Sequence, residues 1–240
     1  MFPKLLEVSG FVIYSYPLFI GLSWGLSYRL GEARYPELLG RKRYVFWFVG
    51  VFLFSWIGAK LLFLLTQDQW KNTELLVNSN FWLGGGFVYL GGLLGGAAFS
   101  LIFLIQQKLN FKALEFSIVP LLLGHSVGRL GCFLAGCCFG TVSELPWSIH
   151  LHHAHRHPVQ LYESFLLLML AWFIEKKSSE KLIHYLMGYG LLRFVLEYFR
   201  GDEIRGSYSF ISTSQWISLA MILMAIGLKV KSQVIKNTEI

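Results

Sequence analysis

The chain has 240 residues, of which 55% are hydrophobic, 17% aromatic and only 15% charged, with a formal net charge of +7. A composition this apolar excludes a water-soluble domain with a polar shell, and its long apolar runs match a hydrocarbon core about 30 Å thick. The positive charge lies between those runs, where anionic lipid headgroups attract it, so it argues for a membrane surface and against a nucleic-acid partner.

Seven spans are expected, near residues 11–28, 44–65, 84–105, 114–139, 159–174, 182–199 and 212–228. Unpaired backbone groups are intolerable in lipid, so each span should be a helix. The expected fold is all-α: a polytopic bundle of seven transmembrane helices in one membrane-embedded domain, residues 1–240. The first span is about as long as a full crossing, lacks a small-x-small cleavage site and runs into a basic loop, so it reads as a retained span.

Lys and Arg crowd the loops at 29–43, 106–113 and 175–181 and the tail after 228, and are sparse in the alternate loops. By the positive-inside rule the N-terminus is outside and the C-terminus cytoplasmic.

Laid along this topology, the polar residues within the spans fall at one depth. Tyr16 lies in the outer part of span one, Gly84 to Gly86 in that of span three, and Gln160 and Glu163 in that of span five. Span four runs outward, and Arg129 lies 14 residues beyond Glu115, roughly 21 Å along the helix axis. Arg193 and Glu197 occupy the last turns of span six. A guanidinium in hydrocarbon is costly to keep without a use, so Arg129 and Arg193 are the candidate site for an anionic substrate, in a cavity open toward the outer leaflet.

Tyr189, Arg193 and Glu197 recur at i, i+4 and i+8, stacking a hydroxyl, a guanidinium and a carboxylate along one helix face. The same spacing also suits a plain structural ion pair at a helix end. His125 precedes Arg129 by one helical turn, where it could act in catalysis or bond a backbone carbonyl. Arg200 and Arg205 read as interfacial anchors.

Several other patterns carry less. GHSVG around Ser126 and GLSWG around Ser23 match the serine-hydrolase elbow, but that motif needs a strand, a sharp turn and a helix. The glycines from Gly84 to Gly96 lack the lysine of a phosphate loop and read as helix packing. Cys132, Cys137 and Cys138 read as small packing residues, too few and too badly spaced for structural zinc, although a nucleophilic Cys132 is conceivable. The run HLHHAHRHP, with His150, His152, His153, His155 and His157, reads as a solvated loop, with metal binding or pH sensing the alternatives. Trp70, Trp82, Trp147, Trp172 and Trp216 read as interface-belt anchors.

The segments GGFVYLGGLLG in span three, GRLGCFLAG around Arg129, HPVQLYE from His157 to Glu163 and YGLLRFVLEYFR from Tyr189 to Arg200 together resemble the prolipoprotein diacylglyceryl transferases. Ser214 and Gln215, opening the last span, extend the match. The resemblance implies a bacterial inner-membrane, multi-pass enzyme of lipoprotein biosynthesis. Such an enzyme moves diacylglyceryl from phosphatidylglycerol to the lipobox cysteine of a prolipoprotein signal peptide, with no metal or other cofactor.

Carried onto this chain, it implies that Arg129 and Arg193 hold the lipid phosphate, that Tyr189 and Glu197 support them, and that Tyr16, Gln160, Glu163, Gly136 and Cys132 line the substrate site. Glu115 resembles an aspartate that opens the family's fourth span. Leu90, beside Tyr89, stands where the family often has a histidine proposed as base, and Cys132 and Ala135 stand where the signature usually has asparagines. His125 or Glu197 is the expected substitute base. The alternatives from other classes are a membrane serine hydrolase using Ser126 and His125, and a non-catalytic relative that binds anionic lipid.

Overall fold

The computed structural model describes residues 2–8, 11–35, 37, 39–66, 76–77, 81, 87–177, 180–201, 207–208 and 211–238. Gly84 to Gly86, Trp70, Trp82 and Arg205 lie outside the described residues, as do the side chains of Tyr89 and Leu90. Among the described residues there are seven long helices: α1 (Ser15–Glu32), α2 (Gly40–Thr66), α3 (Tyr89–Gln106), α4 (Ile118–Ala135), α5 (Val159–Lys177), α6 (Lys181–Leu196) and α7 (Thr213–Thr238). By length and composition, Gly40–Leu65, Phe111–Ala135 and Thr213–Val234 can each cross a membrane, and Gly91–Gln106 is a shorter apolar helix. Phe52, Leu166, Trp172 and Leu223 are among many large apolar side chains left exposed on these helices, a surface that suits lipid better than water.

Several ends differ from the expected spans; the last helix, for one, runs on past 228 to Thr238. Residues 11–14 are not helical: Phe11–Tyr14 forms strand β2, antiparallel to β1 (Lys4–Val8). The β-branched and aromatic run FVIY favours a strand once KLLEV is available to pair with it. The fourth span ends early, at Ala135, because Gly136 takes the left-handed conformation (φ 76°) that closes a helix.

The chain forms two compact units, Met1–Arg34 with Glu115–Ile240, and Tyr35–Leu114. In the second, α2 packs on α3 through glycines whose backbones nearly touch. A Cβ on Gly91 would sit 2.2 Å from the Gly58 carbonyl oxygen, so only glycine permits this approach. Trp47 Nε1 donates to Ser100 Oγ at 3.1 Å. Lys60 is fully buried, donates to the Phe81 carbonyl and lies over the Phe81 and Phe87 rings.

The first unit holds every candidate site residue. Its core joins Val119 and Leu122 of α4, Leu167 and Ile174 of α5, Tyr185 and Tyr189 of α6, and Met221 and Ala225 of α7. Helix α1 lies against α4, where Ser23 and Ser27 donate to the carbonyls of Gly124 and Pro120. Ser126 and Ser164 join α4 to α5, with Oγ atoms 2.8 Å apart and each hydroxyl 3.0 Å from the other's carbonyl. Helix α7 opens with a reciprocal cap: Gln215 Oε1 accepts from Ser212 N–H, and Ser212 Oγ from Gln215 N–H.

At the far end of α5, past the expected span, Glu175 lies 3.1 Å from Lys181 and 3.4 Å from Arg34. Partial burial raises its carboxyl, but the Lys181 hydrogen bond and the two positive charges outweigh that and hold it below the ordinary carboxylate range.

Candidate active site

Arg129 projects from the last two turns of α4 and is buried. Its Nη2 donates to Glu163 Oε1 at 2.8 Å, and Glu163, in the second turn of α5, is wholly buried. His125, one turn earlier on α4, places Nε2 3.7 Å from the same carboxylate oxygen. Its ring meets that of Tyr189 edge to face at 5.5 Å, and Tyr189 stacks on Tyr185 at 5.7 Å. The described surroundings of His125 thus include a carboxylate and an aromatic ring.

Arg193 is buried near the end of α6. Its Nη2 lies 2.7 Å from Glu197 Oε2 and donates to Ser214 Oγ at 3.1 Å. The i, i+4 pair read from the sequence therefore forms, and the capped start of α7 supplies the hydroxyl. His125 and Glu163 each lie within Coulombic range of both Arg129 and Arg193, so one cluster gathers side chains from α4, α5 and α6. Tyr16, in the first turn of α1, falls within Coulombic range of Arg129 and of all three cysteines.

Two buried N–H groups have no acceptor among the described residues: Arg129 Nε and Arg193 Nη1. Glu163 Oε2, Gln160 Oε1 and Glu197 Oε2 are likewise buried without a hydrogen-bond partner among the described residues, Glu197 Oε2 despite its ion pair with Arg193. Leaving a charged group's N–H unsatisfied costs about 1–3 kcal/mol or more, so a site with five such atoms is suited to a polar ligand.

The remaining candidates take definite places. Gln160 Nε2 donates to the Cys137 carbonyl at 2.7 Å, and the Gly136 carbonyl lies 2.8 Å from His152 Nε2. Gly136 thus shapes the site through its backbone turn. The spacing argument against a shared cysteine site does not survive: the turn at Gly136 folds Cys137 and Cys138 back, and the Sγ atoms of Cys132, Cys137 and Cys138 lie within 4.8 Å of one another. Glu115 accepts from the Leu182 N–H at 3.5 Å, at the opposite end of α4 from Arg129.

The histidine-rich segment is no loose loop. Ile149–Leu151 (β3) and Ala154–Arg156 (β4) form a hairpin, with His152 and His153 both at positive φ in its turn. His150 and His155 face each other across it at 5.5 Å. Backbone bonds from Thr141 to the Phe199 carbonyl and from Gly201 to the Phe139 carbonyl tie the segment leading into it to the end of α6. Arg200 shares in this tether, bridged to Gly140. Ser126 lies mid-helix and spends its hydroxyl on Ser164, which is a packing contact and not a nucleophile elbow.

Sequence comparison places the chain among known proteins. Residues 3–231 match the family profile described as prolipoprotein diacylglyceryl transferase. A Clostridium tetani protein named phosphatidylglycerol--prolipoprotein diacylglyceryl transferase is 33% identical over 245 residues, covering 94% of this chain and 96% of its own. A Clostridium perfringens protein of the same name, numbered 2, is 31% identical over 240 residues and 90% of each chain. One from Idiomarina loihiensis is 33% identical over 204 residues, 79% of this chain and 75% of its own. A buried cluster of two arginines with carboxylate partners thus sits in an apolar helical protein whose relatives are named as transferases. The chain belongs to the prolipoprotein diacylglyceryl transferase family.

Proposed function

We propose that this chain transfers the diacylglyceryl group of phosphatidylglycerol to the lipobox cysteine of a prolipoprotein, in the bacterial inner membrane. In this reading the chain has seven spans, an outer N-terminus and a cytoplasmic C-terminus, and Arg129, Arg193, Glu163 and His125 lie near the outer leaflet. The observation that carries the site assignment is the pair of buried, unpartnered guanidinium N–H groups, Arg129 Nε and Arg193 Nη1. Phosphate oxygens satisfy both with charge-assisted hydrogen bonds.

In the reaction, the acceptor thiolate attacks the glyceryl CH₂ carbon that bears the phosphate ester. A C–S bond forms, the C–O bond breaks, and glycerol phosphate leaves with the bonding electrons. The leaving group's growing charge falls where Arg129 and Arg193 are fixed, so they stabilise the transition state more than the bound lipid. Glu163 and Glu197 aim these guanidinium groups, and Ser214 and Tyr189 support them. Tyr16, Gln160, Gly136 and Cys132 line the lipid and peptide side of the site. His125 takes the thiol proton, its ring being set by Glu163 and Tyr189.

The test is incubation of the purified protein with phosphatidylglycerol and a lipobox peptide, followed by mass spectrometry. A peptide gain of one diacylglyceryl mass supports the transferase. Lipid binding with an unmodified peptide contradicts it in favour of a non-catalytic relative. Fluorophosphonate labelling lost in Ser126→Ala would instead indicate a hydrolase.

A further inference from the structure

We propose that Cys132, Cys137 and Cys138 form a three-thiolate site for Zn²⁺, whose fourth coordination position takes the acceptor cysteine of the prolipoprotein. The inference rests on the transferase reading for its second half, the acceptor, and on geometry alone for the first.

Three sulfurs within 4.8 Å of one another are close to the arrangement that zinc requires. Ligands at the usual Zn–S length of about 2.3 Å on a tetrahedron stand about 3.8 Å apart, which modest rotamer shifts reach from here. The backbone around them is fixed by several independent contacts. Gly136 at φ 76° and Cys138 at φ 61° turn the chain back over the end of α4. Cys137 N–H donates to the Cys132 carbonyl at 3.1 Å, and its Sγ points to the same carbonyl at 3.6 Å. Gln160 from α5 holds the Cys137 carbonyl, and His152 holds that of Gly136. Such outer contacts orient first-row ligands and keep a metal site in shape.

The three thiols do not pair off as a disulfide set. The adjacent Cys137 and Cys138 would close only a strained ring, and any single bridge strands the third thiol. Soft thiolates select Zn²⁺ or Cu⁺ over oxygen-preferring cations. Three thiolates around Zn²⁺ carry one net negative charge, and a fourth makes two. Arg129 and Arg200 both lie within Coulombic range of Cys138, so positive charge is on hand to balance that anion.

Three protein ligands and one open position are the arrangement of reactive zinc, not of closed structural zinc. The reaction proposed above needs a thiolate held next to the lipid phosphate, and Cys132 lies one helical turn from Arg129. A thiol binding the open position gives up its S–H proton to the base and stays nucleophilic as a zinc-bound thiolate. Its sulfur then forms the C–S bond while the leaving phosphate takes the C–O electrons, and the thioether product, a poor zinc ligand, departs.

Reduced, metal-free protein in detergent, titrated anaerobically with Zn²⁺ against a chromophoric chelator, should take up one equivalent per chain. Loading with Co²⁺ should give intense sulfur-to-metal absorption, altered by a lipobox peptide and unaltered by the same peptide with serine for cysteine. Cys137→Ser, at an exposed thiol, and Cys138→Ser should each weaken Zn²⁺ affinity by more than the roughly 10–100-fold that loss of a supporting contact costs. Uptake that survives both substitutions, or that is lost instead on replacing His150 and His155, overturns the site. A Co²⁺ spectrum indifferent to the cysteine peptide, or full transfer by chelator-stripped protein, overturns the acceptor role. Neither titration nor spectrum needs turnover, so a protein that binds metal through its thiols yet makes no thioether refutes the transferase reading alone.

Discussion

Arg129 of α4 and Glu163 of α5 form a salt bridge at 2.8 Å in which the carboxylate is wholly buried and the guanidinium nearly so. The pair is 34 residues apart in the chain and ties two helices together at the point where the lipid phosphate is proposed to bind. Its energetic weight lies less in the attraction itself than in what removal of one partner leaves behind.

Glu163→Gln keeps the shape and strands a buried guanidinium charge. Breaking a buried pair in this way costs about 3–5 kcal/mol, so the variant should unfold at markedly lower temperature in detergent and lose most of its transfer activity. Thermal unfolding followed by fluorescence, alongside the peptide assay, checks both. An unchanged melting temperature contradicts the structural half.

Arg193 Nη2 serves Glu197 and Ser214 at once, while Nη1 is free of protein acceptors among the described residues. Arg193→Lys keeps the charge and loses the planar fork, so kcat/KM should fall about 10–100-fold, equivalent to about 1.4–2.8 kcal/mol. Ser214→Ala should cost less, within about tenfold, because one hydrogen bond is lost and the ion pair remains. A lysine variant equal to wild type would remove the Arg193 guanidinium fork from the mechanism.

Two glycines on the same face of α4 should respond unequally to alanine. A Cβ at Gly124 would meet Ser27 Oγ at 2.1 Å and the Ser23 carbonyl at 2.8 Å, whereas at Gly128 nothing lies closer than 3.8 Å. Gly124→Ala should push α1 off α4 and reduce the yield of monodisperse protein, and Gly128→Ala should be nearly neutral. Size-exclusion chromatography of the two variants decides it.

His125→Gln should flatten the acid limb of the pH–rate profile, because only a neutral imidazole accepts the thiol proton and activity therefore falls as pH is lowered. A limb that persists unchanged in this variant assigns the base elsewhere, with Glu197 the next residue to replace.

Glu175 gives a pH effect on stability outside the membrane. Its carboxyl is lowered in the folded protein from a reference value of 4.5, so the stabilisation is present above that value and lost as pH falls through the lowered one. Glu175→Gln should remove that component of acid destabilisation, a small one because the group is half exposed. Parallel acid melts of variant and wild type that keep their separation at every pH would contradict it.

What the sequence disclosed follows from the range of each interaction. The Arg193–Glu197 pair was readable because i, i+4 spacing on a helix places the two side chains together regardless of the rest of the fold. The Arg129–Glu163 pair was not, since it depends on how α4 lies against α5; only the buried arginine signalled that some partner existed. The closeness of the three cysteine sulfurs was not readable because a spacing argument assumes that the helix continues, and the left-handed turn at Gly136 reverses the chain. The strand at Phe11–Tyr14 was absorbed into the first span because an apolar run of four residues looks alike in a strand and in a helix. Likewise, histidine composition alone could not distinguish a solvated loop from the β3–β4 hairpin held by long-range backbone bonds.

The most direct measurement is the mass of a lipobox peptide after incubation with phosphatidylglycerol and wild-type, Arg129→Ala or Arg193→Ala protein, each first shown to be folded. Wild type should add one diacylglyceryl group to the cysteine, and both variants should lose product by at least the roughly 100-fold typical of removing a transition-state charge contact. Near-normal product from both folded variants would contradict the assignment of the two guanidinium groups to the departing phosphate.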